Sequence, residues 1–153
     1  MLIKQFLNEY EYSYLLNIAK SINYELPAKG NGKLYYIEKL NDKVLHKIVE
    51  KSHKIMLVHH PQHKYSAEYS CFLTIQSKGW IAAHKDWVEM NKQVDNFNIL
   101  LQKPKKGGLI LHGTSQVLLN NGDAYILDAS ILHGITTVES DDDYYSLVLW
   151  FYK

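Results

Sequence analysis

The chain contains no arginine: all 17 basic residues among its 153 are lysine. A site built on a bidentate guanidinium is therefore excluded. Any cation that holds an anion here must be a lysine ammonium, a point charge without the planar fork. A single cysteine, Cys71, excludes an internal disulfide and fits a reducing cytosol, so a cytoplasmic location is expected. No apolar run approaches the length of a membrane span. The opening stretch "MLIKQFLNEYEYSYLL" lacks a basic segment followed by an apolar one, so no signal peptide is expected. The net charge of +1 gives no sign of a nucleic-acid or membrane partner. Internal repeats and low-complexity tracts are also missing.

What remains is the composition of an ordinary globular protein, 46% hydrophobic and 22% charged. Its length suggests one domain over residues 1–153. The texture changes along it. Residues 8–22 place Tyr12, Leu15, Leu16 and Ala19 at helical spacing, with Asn8 as N-cap and Glu11 completing a capping box. Residues 24–34 hold Pro27, Gly30 and Gly32 and read as loop. Residues 41–57 form a second amphipathic helix that buries Val44, Leu45, Ile48, Val49 and Ile55, capped by Asn41 or Asp42. "HHPQH" (59–63) then ends the helical part, which covers residues 1–60. His59 and His63 have the i, i+4 spacing of helical metal ligands, but Pro61 between them breaks that geometry, so a solvated loop is expected.

From residue 66 the pattern is β. The short runs "EYSCFLTIQ", "NFNILLQK", "GLILHG", "SQVLLN", "DAYILDA", "ITTVES" and "YYSLVLWFY" are separated by the turns "SKG", "KPKKGG" and "NNGD". Many short strands at close spacing predict a sandwich or barrel. The fold class is thus α+β, mainly β: two N-terminal helices and a β core over residues 66–153.

One strand ends in chemistry. In "AAHKDW" an apolar lead-in finishes in His84 and Asp86, two residues apart. At a strand end such a pair projects to one side, where a metal ion could hold both. With eight histidines and 16 acidic residues in the chain, about one His-x-acid pair is expected by chance, so the spacing alone proves little. Further on, "NNGDAYILDASILHGITTV" carries His133 among apolar neighbours, after a turn at Gly122 and Asp123. A third nitrogen brought across a barrel would complete a face of two histidines and one carboxylate. That set is diagnostic of non-haem Fe(II) oxygenases.

At this point the sequence resembles the Fe(II)- and 2-oxoglutarate-dependent dioxygenases of the prolyl-4-hydroxylase-like kind. "FLNEYEYSYLLNIAKS" resembles their opening helix, and "FLTIQSKGWIAAHKD" their first metal-ligand segment. "NILLQKPKKGGLIL" resembles the following strand with its Gly-Gly turn. "NNGDAYILDASILHGITTV" resembles the Gly-Asp strand leading to the distal histidine, and "YYSLVLWF" the last core strand. Each piece alone is weak; five in the family's order span nearly the whole chain.

The resemblance implies a double-stranded β-helix, a jelly-roll or cupin-like core. It implies Fe(II) held by His84, Asp86 and His133, with 2-oxoglutarate and O2 as cosubstrates. The product would be a hydroxylated peptidyl, amino-acid or other small-molecule substrate. The family holds the far carboxylate of 2-oxoglutarate with an Arg-x-Ser pair on the last core strand. Here Tyr144 stands at the arginine position, and Ser146 is kept. A lysine reaching in from a neighbouring strand, Lys103 first and Lys92 second, is one expected substitute. Tyr144 and Ser146 acting on a smaller 2-oxo acid is another. The third is a metal-binding β-helix that has lost turnover and serves as a ligand- or partner-binding protein. A cupin of other chemistry is disfavoured, since no His-x-His occurs. Trp80 and Trp87 flank the His-x-Asp segment as candidates for the substrate mouth. His112, on the Gly-Gly strand, is read as structural or substrate-facing.

Overall fold

In the computed structural model of the chain, residues 1–86 and 93–153 are described. The first helix, α1 (Glu9–Ser21), starts at Asn8, whose side chain accepts the Glu11 N–H at 2.8 Å. The Glu11 carboxylate accepts the Asn8 N–H at 3.0 Å in return. This reciprocal cap satisfies two of the N–H groups that a helix start leaves free. The second helix, α2 (Lys43–His59), is capped by Asp42, which accepts the Leu45 N–H at 2.8 Å. Tyr14 of α1 donates its hydroxyl to the same carboxylate at 2.5 Å, so the cap also ties the two helices together.

The strands form two antiparallel sheets. The larger has the order β1 (Leu2–Ile3), β9 (Ala124–Asp128), β6 (Val94–Gln102), β11 (Tyr144–Tyr152), β4 (Lys64–Ile75), β3 (Lys33–Tyr36) and β2 (Leu26–Pro27). The smaller runs β5 (Ile81–His84), β10 (His133–Ile135), β7 (Ile110–His112) and β8 (Ser115–Val117). The large sheet is the middle layer. On β11, Leu147, Leu149 and Phe151 point to the helices and pack with Leu15, Leu45, Ile48, Met56, Phe72 and Phe97. The alternate residues Tyr144 and Val148 point to the small sheet and pack with Cys71, Leu73, Ile81 and Leu100. A strand covered on both faces needs apolar side chains at successive positions, which is why "SLVLWF" and "NILL" read as continuous runs rather than alternations.

Three expectations are corrected. Part of the expected loop at 24–34 is a hairpin: Leu26 and Pro27 pair with Leu34 and Lys33, and β3 adds to β4 with Tyr36 opposite Cys71. Pro27 fits there because β2 is an edge strand with no further partner to donate to. "ITTVES" is not a strand along its length. Pairing ends at Ile135, and Val138 makes an isolated bridge to Gly107. "HHPQH" is not wholly solvated either. His63 is 2% exposed, with Nδ1 at 2.8 Å from Met56 O and Nε2 at 2.9 Å from Asp95 Oδ2. Pro61 does end the helix, but the chain then turns straight into β4 and carries His63 under α2, where both ring nitrogens are satisfied.

The last distortion lies beside the site. Val148 of β11 pairs with Cys71 and Trp150 with Ser66, so β4 carries extra residues between them. Ser70 Oγ donates to Ser66 O at 2.7 Å and accepts the Trp150 N–H at 3.0 Å. A buried hydroxyl thus replaces the missing ladder bond, and the sheet stays intact past the bulge.

Candidate metal centre

The small sheet brings the predicted ligands together. His84 ends β5, His133 begins β10, and the two are directly paired. Opposed residues of an antiparallel ladder project to the same face, and the two imidazole centroids lie 4.4 Å apart. Gly134 permits this approach: a Cβ there would lie 2.9 Å from Ile81 O and 3.1 Å from Ala83 Cα. Asp86 lies two residues past the end of β5, where its N–H donates to Ala129 O at 2.9 Å. Its Oδ1 is 3.2 Å from His84 Nε2 and its Oδ2 3.5 Å from His133 Nε2. One donor atom from each residue lies within 4.8 Å of the others.

The residues behind the triad fix its orientation. His84 Nδ1 donates to Ala82 O at 2.7 Å, and His133 Nδ1 to Ile131 O at 2.9 Å. A carbonyl can only accept, so each Nδ1 carries a proton and each Nε2 is the atom turned toward Asp86. Asn96 of β6 donates its amide N–H to Asp86 Oδ2 at 2.7 Å. Burial pushes the Asp86 carboxyl up, but hydrogen bonds from His133, His84 and Asn96 outweigh it and hold the group well below the usual carboxylate range. The hydrogen bond to Asp86 raises the His84 imidazole above its ordinary value, against burial and the charge of Lys29, which both lower it.

The donor set suits a first-row divalent cation. Ligand bonds of about 2.1 Å at right angles put neighbouring donor atoms roughly 3 Å apart. The nitrogen–oxygen distances of 3.2 and 3.5 Å are near that figure without rearrangement. The triad opens on a cavity of about 380 Å³ between the two sheets. This volume matches a small-molecule site.

Tyr144 and Ser146 lie on the cavity wall with the triad. Lys103 does not: it is exposed, its N–H is bonded to Asn121 Oδ1, and it is not part of that wall. Trp80 is 44% exposed and also off the wall. Trp87 and Lys92 lie outside the described residues. His112 is paired with His133 across β7 and β10. Its Nε2 donates to Asp128 O at 3.1 Å, so its Nδ1 accepts the Tyr125 hydroxyl at 3.0 Å. It acts as a support that fixes a tyrosine on the cavity wall.

Other wall residues went unremarked in the sequence: Asn96, Asn98, Tyr125, Trp150 and Lys29. For the two asparagines a signal existed. In "NFNILL" polar residues alternate with apolar ones at period two inside a buried strand, which marks one face as wet.

No family model matches the sequence, and no curated protein matches it either. Solved structures do. A viral collagen prolyl hydroxylase from Paramecium Bursaria Chlorella virus-1, in complex with 2-oxoglutarate, superposes with a TM-score of 0.78 at 15% identity, over 99% of this chain and 94% of that one. HygX from Streptomyces hygroscopicus, with nickel, 2-oxoglutarate and hygromycin B bound, gives 0.78 at 10% identity over 99% and 82%. A prolyl hydroxylase from Trichoplax adhaerens, in complex with a peptide fragment of the hypoxia inducible factor oxygen degradation domain, gives 0.74 at 12% identity over 99% and 82%. These likenesses establish the fold. It is the double-stranded β-helix of the prolyl-hydroxylase-like Fe(II)/2-oxoglutarate oxygenases.

Proposed function

We propose that this chain, which has the fold of the prolyl-hydroxylase-like oxygenases, is an Fe(II)- and 2-oxo-acid-dependent oxygenase that hydroxylates a peptidyl, amino-acid or other small-molecule substrate. The observation that carries the reading is the convergence of His84 Nε2, Asp86 and His133 Nε2 on one side of a walled cavity. His84, Asp86 and His133 would hold the metal on one face. Bound there with 2-oxoglutarate and O2, Fe(II) supplies the oxidising chemistry, giving succinate, CO2 and hydroxylated substrate.

The chain's own part is binding and orientation. Ala82 O and Ile131 O keep both imidazoles in the tautomer that presents Nε2. Asn96 donates to one carboxylate oxygen of Asp86 and so fixes how the carboxylate would face the metal. Leu73, Ile81 and Val148 give the wall its apolar stretches. Hygromycin B and a peptide fragment are bound in two proteins with this fold, so the fold itself admits a small molecule or a peptide.

The lack of any arginine favours one rival, a metal-binding β-helix without turnover. Oxygen-dependent succinate formation from 2-oxoglutarate separates the two. The oxygenase reading expects succinate with Fe(II) and wild-type protein, stimulated by one class in a panel of peptides, amino acids and aminoglycosides. His133→Ala should form none. Iron-loaded wild type that forms no succinate with any of them would establish the rival.

A further inference from the structure

The cavity wall carries little charge. Among its described residues outside the triad, Lys29 is the one full charge. The single carboxylate on that described wall, Asp86, is committed to the triad. A cationic substrate would find no free carboxylate there. An anionic one would find an ammonium.

The backbone of Lys29 is held in place. It lies at the tip of the β2–β3 hairpin, and that tip is fastened along β5. Lys29 O accepts the Ala82 N–H at 3.2 Å, and Gly30 bridges to Ile81. Asn31 donates its N–H to Trp80 O at 3.1 Å, and its Oδ1 accepts the Trp80 N–H at 2.6 Å. Gly30 permits the close contact: its φ is +93°, and a Cβ there would lie 2.5 Å from Trp80 O. Lys29 therefore stands against Ala82, two residues before the ligand His84. Two residues of strand span about 7 Å, a length that a lysine side chain approaches. The imidazole of His84 is raised first by its hydrogen bond to Asp86, and the charge of Lys29 acts against that rise, which places the ammonium near the triad.

A solvated surface lysine signifies little by itself. Three features set Lys29 apart. No carboxylate of the described residues forms an ion pair with it. Pro27, Ala28 and Leu34 of the same hairpin line the wall beside it, so a pair formed there is screened less than one in open water. A cation beside a divalent metal is also repelled by it, and an anion lying between the two relieves the repulsion.

We propose that Lys29 selects an anionic substrate by holding its carboxylate or phosphate group beside the metal centre. The proposal rests on the oxygenase reading above and narrows it. A small carboxylic acid or a phosphate ester suits the cavity, whereas a polycation such as an aminoglycoside does not. An internal peptide bond is neutral and gains nothing from Lys29.

Calorimetry on protein loaded with nickel and 2-oxoglutarate tests this without turnover. The probes are amino acids, free and N-acetylated, with the matching carboxamides, and phosphate monoesters with their parent alcohols. Wild type should bind at least one anionic member about tenfold tighter than its neutral counterpart, and the responding pair tells carboxylate from phosphate. Lys29→Ala should lower that preference by about tenfold through weaker binding of the anion alone, and Lys29→Glu should lower it further. Affinity for 2-oxoglutarate should stay within about twofold in Lys29→Ala. A preference that survives Lys29→Ala would overturn the proposal. So would neutral members that bind wild type as tightly as the anions, or a panel in which no anion binds. Nickel-loaded wild type that binds no 2-oxoglutarate would bring down the oxygenase reading, and the role of Lys29 with it.

Discussion

At the scale of single residues, the site depends on which proton sits where. His84 is raised above its ordinary value mainly by its hydrogen bond to Asp86. The sign of the pH dependence then differs between metal-free and metal-loaded protein. Without metal, the protonated His84–Asp86 contact contributes stability fully below about pH 6.5, and the contribution is lost as pH rises through the raised value. Metal needs the neutral imidazole, so it competes with the same proton. Thermal melts against pH should show the metal-free protein losing stability across that interval while the increment on adding Ni(II) grows. Cys71 gives a second residue-scale prediction. Burial pushes its thiol up to about 12, although it borders the cavity. Native protein at pH 8 should resist iodoacetamide, and protein in guanidinium should be alkylated once per chain, as read by mass spectrometry. The residue scale was also where the sequence was least legible. His84, Asp86 and His133 could be found because their spacing matches strand geometry and the family's order. Ser146 could be placed on the last strand, but nothing in the sequence says how deeply it is buried in the cavity wall. His63 was misread because Pro61 signals a loop equally well whether the next residue is exposed or tucked under a helix.

At the scale of elements, the triad is a product of strand pairing. His84 and His133 are neighbours only because β5 and β10 pair in one register, and Gly134 sets how near the strands come. Gly134→Ala would place a methyl group against Ile81 O and the Ala83 backbone. Overpacking of this kind costs about 1–3 kcal/mol. The variant should fold with a lower melting temperature and lose metal affinity, measured by Ni(II) titration. Unchanged nickel binding would show that β10 relaxes without moving His133. The helices and their caps were legible because capping boxes and apolar periodicity are local. The β2–β3 hairpin was not, since Pro27, Gly30 and Gly32 look like loop residues and the partner, β4, is more than 25 positions away from β3. The same hairpin supplies Leu34 and Tyr36 to the cavity wall, so part of the site was hidden with it.

At the scale of the whole molecule, a sheet covered on both faces separates two tasks. The helix-facing side chains make a continuous apolar core, and the opposite side chains of the same strands line the cavity. Ser146, Asn96 and Asn98 can therefore be polar in strands that are otherwise apolar, because the core on the other face carries the stability. This division explains why the fold class was readable from strand texture and motif order, while the cavity wall was only partly so. Among the described residues no helix is long and apolar enough to cross a membrane.

The central claim is that the triad holds a metal which then binds a 2-oxo acid. An anaerobic titration with Fe(II) followed by 2-oxoglutarate tests it most directly, through the visible metal-to-ligand charge-transfer band. Wild type should give a band that saturates with 2-oxoglutarate, and Asp86→Ala should give none. Wild type that binds iron yet shows no band at saturating 2-oxoglutarate would contradict the account.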